Sequence, residues 1–223
     1  AQYIEEAIES VENQTYKNIE YFVVDDGSTD ETHHLFNKLE KKYPHIKFEK
    51  YTENRGHIRF SETVDKAKGK YICWLSSDDW FLPEKIEKQV ALFEKLPDDF
   101  GVVYSAGLRY FTDSKEYVAP RTNQMMKRGS ILKELLTEPF FIYPISPMIR
   151  RECFSFYRFS ENYRAEGEAI FFKIAMRYKF DYVDETLVVM RDHSSNIGKD
   201  IKVMLADNIR YRKELFEHPD FQQ

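Results

Sequence analysis

Apolar residues recur at helical spacing from the start of the chain, where Ile4, Ala7, Ile8 and Val11 share one face and predict a helix beginning at the first residues. Ile19 to Val24 then reads as a strand whose second half is apolar on both faces, the pattern of a strand buried in a parallel sheet. It ends at Asp25-Asp26-Gly27-Ser28, and Ser28 with Glu31 makes a capping-box pattern for a helix carrying Leu35, Phe36, Leu39 and Tyr43. The alternation continues with an extended segment from Ile46 to Tyr51, a helix from Ser61 to Lys68, and an apolar strand from Tyr71 to Leu75 that ends at Ser76-Ser77-Asp78-Asp79-Trp80. Pro83 opens a helix with Ile86, Val90 and Phe93 on one stripe, and Val102 to Ser105 is a further strand. Strand, polar turn and helix in repetition predict an α/β fold with a doubly wound, mostly parallel sheet.

After about residue 106 the texture changes to a Tyr-rich, hairpin-like stretch through Val118 and a Pro-punctuated region up to Pro147. Order returns with a helix from Glu166 to Tyr178, strand segments at Phe180 to Val183 and Leu187 to Met190, and a charged helix from Ile201 to Phe216. The expectation is one domain in two halves, 1–106 and 107–223, because 223 residues are too few for two ordinary domains. A charge of -5 mixed in sign along the chain excludes a dedicated nucleic-acid surface, which would show as a basic stripe. Two distant cysteines, Cys73 and Cys153, give neither a disulfide framework nor zinc spacing, and point to a reducing compartment. No apolar run reaches membrane-spanning length and no signal-peptide pattern opens the sequence, so the expected location is the cytoplasm.

In open parallel sheets ligands bind beyond the carboxyl ends of the strands. Two apolar strands here end in paired aspartates, Asp25-Asp26 and Asp78-Asp79. Either pair alone fits ordinary turn and cap chemistry. Four carboxylates around one crevice repel one another unless something positive or hydrogen-donating is bound, and a divalent cation on a diphosphate, with ribose hydroxyls and a base edge, meets that need.

The segment from Tyr3-Ile4-Glu5-Glu6-Ala7-Ile8 to Val23-Val24-Asp25-Asp26-Gly27-Ser28, with Gly69-Lys70-Tyr71-Ile72-Cys73-Trp74-Leu75-Ser76-Ser77-Asp78-Asp79-Trp80, resembles the GT-A type glycosyltransferases of family 2. The resemblance implies a Rossmann-like nucleotide-sugar-binding half at 1–106 and a smaller mixed, acceptor-side and catalytic region at 107–223. It implies inverting transfer of a sugar from a nucleoside-diphosphate sugar, UDP-sugar favoured, to a hydroxyl of a saccharide or lipid-linked saccharide, assisted by Mn2+ or Mg2+. Asp25, Asp26, Arg59 and Asp78 match nucleotide-binding positions. Asp79, the preferred direct ligand, Asp78 and His193 match the metal site, and Arg191 the diphosphate. The catalytic carboxylate falls on Glu168, with Glu166 as the alternative register. Acids in a first helical turn also complement the helix dipole without chemistry.

The sequence departs from the family at Ser76, where many relatives carry an acid. The family also has a strand and a polar loop before the segment with which this sequence opens, so part of the nucleotide pocket is expected from other residues. By analogy, a role in polysaccharide assembly at the inner face of the membrane, through peripheral association, is a further expectation. Two alternative readings are a sugar nucleotidyltransferase and a noncatalytic nucleotide-sugar or carbohydrate-binding module. The residues do not fix the donor's base or sugar, or the oligomeric state.

Overall fold

The computed structural model describes residues 2–119, 126–138, 142–158, 169–194, 196 and 199–221. Helix α1 (Ile4–Glu12) buries Ala7, Ile8 and Val11, as its periodicity requires. Strand β1 (Phe22–Asp26) pairs in parallel with β2 (Lys47–Tyr51), and helix α2 (Thr32–Lys42) crosses between them. Phe36 and Leu39 of α2, Ile8 of α1, Val23 and Ile46 close a small core against this pair. The expected capping box at Ser28 does not form. Asp25 Oδ1 takes the Ser28 amide at 2.9 Å, which keeps Ser28 in the turn. The helix starts at Thr32, whose amide donates to Asp30 Oδ1 at 3.1 Å.

A second sheet of six strands follows, in the order β3-β7-β5-β8-β4 with β6 added at β5. Its members are β3 (Tyr71–Ile72), β4 (Trp80–Phe81), β5 (Phe100–Phe111), β6 (Glu116–Val118), β7 (Met148–Arg150) and β8 (Lys179–Asp192). Parallel pairing holds for β1 with β2 and for β5 with β8. The other pairs of the second sheet run antiparallel, because β6 and β7 return to β5 from the opposite direction. The sheet is therefore mixed. The apolar run Tyr71 to Leu75 is ladder-paired only over its first two residues.

The central pair β5–β8 carries the main core, with Val102, Tyr104 and Phe180 packed against Ile170, Phe171 and Ile174 of α6 (Ala169–Ala175). The two strand segments foreseen between Phe180 and Met190 are one strand interrupted by a bulge: Ser105 faces Val183 while Ala106 faces Thr186. Asp184 and Glu185, both exposed, occupy the extra length, as expected of charged residues in a bulge. Helices α3 (His57–Lys66), α4 (Lys85–Phe93), α5 (Leu132–Thr137) and α7 (Ile201–Glu217) complete the layers, with a 3-10 turn at Arg151–Ser155.

Two buried glutamines tie the layers together. Gln14, just past α1, donates to Ser10 O at 3.0 Å and Leu82 O at 2.8 Å, and accepts from Ile86 N at 3.1 Å. It thereby satisfies an amide of the first turn of α4 that the helix itself cannot. Gln89 donates to Val103 O and Ser146 O and accepts from Lys85 Nζ at 2.8 Å. Lys85 is wholly buried over the Phe81 ring, and burial lowers its pKa.

Candidate active site

Asp26 stands at the carboxyl end of β1, facing Tyr51 at the end of β2. Gly27, with φ +79°, turns the chain there; a Cβ on it would lie 2.8 Å from Asn54 N and Glu53 C. Only a residue without a side chain lets the 53–54 backbone pass so close to the strand end. That approach delivers the next two amides to Asp26: Arg55 N at 3.0 Å and Gly56 N at 2.6 Å from Oδ2. Arg59 Nε reaches Oδ1 at 3.2 Å. The Arg59 guanidinium is nearly buried, lies 3.4 Å from the Tyr51 ring centroid and pairs with Glu62 at 2.5 Å. Asp25, on the opposite face of the strand, is buried and closes the turn through Ser28. Asp25, Asp26 and Arg59 are thus gathered at one strand-end turn.

The second pair is organised by the end of β8. Asp79 is 5% exposed, and its Oδ1 accepts the Arg191 backbone amide at 2.8 Å. Burial, reinforced by the neighbouring Asp78, pushes the Asp79 carboxyl up to about 7, against the Arg191 amide and the Ser76 hydroxyl that favour its charged form. Asp78 is more open; its Oδ2 lies 3.0 Å from His193 Nε2 and 3.2 Å from Asn196 Nδ2. Arg191 Nε donates to Asp78 O at 2.8 Å and its far nitrogen pairs with Glu6 of α1 at 2.5 Å. The guanidinium is enclosed by rings, 4.3 Å from the Tyr3 centroid and 4.7 Å from that of Trp80. The Tyr3 ring also tilts against His193 at 5.5 Å between centroids.

Asp78, Asp79, Arg191 and His193 therefore form a second group, and α1 touches both, packing Ile8 on β1 and sending Glu6 to Arg191. Glu166 and Glu168 lie outside the described residues; α6 begins at the next position, Ala169. Tyr3, Glu6, Tyr51, Glu62 and Asn196 join the site without having been singled out from the sequence. Only the last carries a local signal, an amide three residues beyond His193 whose Oδ1 accepts the His193 backbone N–H at 2.6 Å.

Among the described residues no three His, Cys, Asp or Glu cluster closely enough to enclose a metal ion. The donor chemistry nevertheless fits Mn2+ or Mg2+: a carboxylate oxygen and an imidazole nitrogen converge within 3.0 Å, with a second carboxylate beside them. Hard divalent cations commonly take one or two protein carboxylates and fill the remaining positions with phosphate and water oxygens.

Residues 1–158 match the family described as Glycosyl transferase family 2. The chain belongs to glycosyl transferase family 2. This family 2 chain is 42% identical over 105 residues to an uncharacterized glycosyltransferase of Rickettsia prowazekii (strain Madrid E), a match covering 47% of the chain and 32% of that relative. The chain thus spans about a third of that relative's length. The fold is similar to S. aureus TarS 1-349 in complex with UDP-GlcNAc, with TM-score 0.73, 16% identity, and coverage of 96% of this chain and 62% of that one. It is similar also to the mannosyltransferase PcManGT of Pyrobaculum calidifontis in complex with GDP-Man and Mn2+, with TM-score 0.74, 18% identity, and coverage of 99% and 63%. The family 2 chain has the GT-A fold, with a curled mixed sheet.

Proposed function

We propose that this chain transfers a glycosyl group, with inversion, from a nucleoside-diphosphate sugar to the hydroxyl of a saccharide or lipid-linked saccharide, with UDP-sugar as the favoured donor. The observation that carries the reading is the Asp78–His193 pair set beside a buried Asp79 at the end of β8. The relatives' bound UDP-GlcNAc and GDP-Man support a nucleotide-sugar donor.

In this reading Asp26 lines the nucleoside and Asp25, buried on the other face of the strand, supports the pocket by closing the turn through Ser28, with Arg59 fixing the Asp26 carboxylate and the 55–56 loop on the nucleotide side. Asp78, Asp79 and His193 would hold Mn2+ or Mg2+, which when bound neutralises charge developing on the departing diphosphate. Arg191 stands on the diphosphate side, its head fixed by Glu6 and the Asp78 carbonyl so that its charge needs no reorganisation when a ligand arrives. Glu168, or Glu166 in the alternative register, takes the proton of the acceptor hydroxyl as that oxygen bonds to the anomeric carbon and the carbon–diphosphate bond breaks. The proposed location is the cytoplasm, at the inner face of the membrane when the acceptor is lipid-linked.

The test is turnover and binding of UDP-, GDP- and dTDP-sugars with and without Mn2+, comparing the protein with Asp79→Ala and Glu168→Gln. Metal-dependent donor binding that Asp79→Ala abolishes, together with turnover that Glu168→Gln lowers while binding survives, is the expected result. Ser76 in place of an acid favours a second reading, a noncatalytic nucleotide-sugar-binding module; binding with no turnover by the unaltered protein would select it.

A further inference from the structure

Beside the Asp78–Asp79 turn the sheet carries an aromatic cluster that the chemistry above does not use. Trp80 of β4 follows directly on the two aspartates. Its ring meets Tyr110 of β5 at 5.6 Å and Tyr117 of β6 at 6.4 Å between centroids, and Tyr110 meets Tyr117 at 4.8 Å. The registers place these residues on one face. Trp80 pairs with Val189, two positions before Arg191 on β8; Arg191 pairs with Tyr110, and Tyr110 with Tyr117. Side chains two apart on a strand, or directly paired across strands, share a face. The order across four neighbouring strands is therefore Trp80, Arg191, Tyr110, Tyr117, and the three aromatic rings converge over that stretch, the Trp80 and Tyr117 centroids lying 6.4 Å apart. Burial decreases outward: Trp80 and Tyr110 are half-buried, and Tyr117 is 57% exposed.

Tyr110 and Tyr117 are a directly paired cross-strand couple that stabilises the β5–β6 hairpin, and Tyr117 leaves its ring open to solvent at the outer end. The inner end of the face joins the Asp79 anchor through Arg191, whose guanidinium lies 4.7 Å from the Trp80 centroid and 5.5 Å from that of Tyr110. The ligand such a face fits has apolar C–H faces and a hydroxyl rim, because the rings offer apolar contact while the tyrosine hydroxyls supply hydrogen bonds. A saccharide has that chemistry, and the face runs on directly from the aspartate turn through Trp80.

We propose that Trp80, Tyr110 and Tyr117 form the acceptor-saccharide subsite, with Tyr117 as its outer stacking platform. This inference rests on the transferase reading above. The test measures UDP release from the accepted UDP-sugar in water, then with cellotriose, maltotriose, mannotriose or chitotriose added, for the unaltered protein, Tyr117→Ala and Tyr117→Phe. Tyr117 stands at an exposed edge, so the folded state survives its truncation, which thermal melting checks. The expected result is acceleration by at least one trisaccharide. Its KM should rise at least fivefold in Tyr117→Ala, with donor KM moving less than twofold, and Tyr117→Phe should restore the acceptor KM. An acceptor KM within twofold of the original in Tyr117→Ala overturns the proposal, as does donor hydrolysis that no saccharide accelerates. No UDP release by the unaltered protein, with or without a saccharide, overturns the transferase reading, and this subsite with it.

Discussion

Replacing Gly27 by alanine attacks the site through the backbone alone. Gly27 has φ +79°, a conformation that costs an L-residue about 1–2 kcal/mol. The new Cβ would lie 2.8 Å from Asn54 N and Glu53 C, backbone atoms that cannot rotate away as a side chain would, and such overpacking adds about 1–3 kcal/mol. The expected loss is about 2–5 kcal/mol in all, a large part of the roughly 5–15 kcal/mol that stabilises a domain. Gly129 supplies the control: its φ is +86° and a Cβ there meets nothing within 4 Å, so Gly129→Ala carries the conformational cost alone. Urea unfolding followed by circular dichroism should place Gly27→Ala about 1–3 kcal/mol below Gly129→Ala, or about 2–12 °C lower in melting temperature for a chain of this size. The same substitution pushes the Arg55 and Gly56 amides away from Asp26, so donor KM should rise as well. Equal stabilities of the two variants would show that the 53–54 backbone yields freely, and would refute the claim that close approach at Gly27 fixes the loop.

Asp79 predicts a pH dependence. Its carboxyl is raised from 3.8 to about 7, so the folded chain keeps a proton that the unfolded chain releases, and stability falls as pH climbs from about 4 to about 7. Asp79→Asn should flatten that fall in thermal melts taken across the range, and an unchanged slope would sink the assignment. Arg191→Lys keeps the charge but loses the planar group lying against Tyr3 and Trp80 and the Nε bond to Asp78 O; a loss of about 2 kcal/mol in chemical unfolding is expected, and less than 0.5 would mean the fork is not needed. Phe36 is 0% exposed in the small core beneath β1, so Phe36→Ala should cost about 3–5 kcal/mol in the same assay.

The fold was legible wherever burial imposes a period. The stripe of Ile4, Ala7, Ile8 and Val11 became α1, and the apolar segments around Val23 and Val103 became β1 and β5. Strand direction was less legible, because an apolar run buried on both faces reads alike in parallel and antiparallel company; Met148–Arg150 gave no sign that it would return against β5. The capping pattern at Ser28 failed since Asp25 competes for the Ser28 amide, a contest that depends on how the turn closes. At the candidate site, strand-end positions and the family resemblance pointed to Asp25, Asp26, Asp78, Asp79, Arg59, Arg191 and His193, which the structure gathers into two groups, while Glu168 and Glu166 lie outside the described residues. Glu6 and Tyr3 were not, because their link to Arg191 spans most of the chain and leaves no periodic trace.

The hydrogen bond from the Arg191 amide to Asp79 joins residues 112 positions apart, and β5 meets β8 in parallel across a shorter but still long stretch of chain. Closing such a loop costs entropy before any contact repays it, and chains dominated by distant pairings fold slowly. Helices α1 and α2 can form from local information, whereas the Asp79 anchor exists only once β8 has docked. In the proposed reading, donor affinity should therefore emerge during refolding only after helical signal has already recovered, which would make it a clock for the last long-range step of assembly.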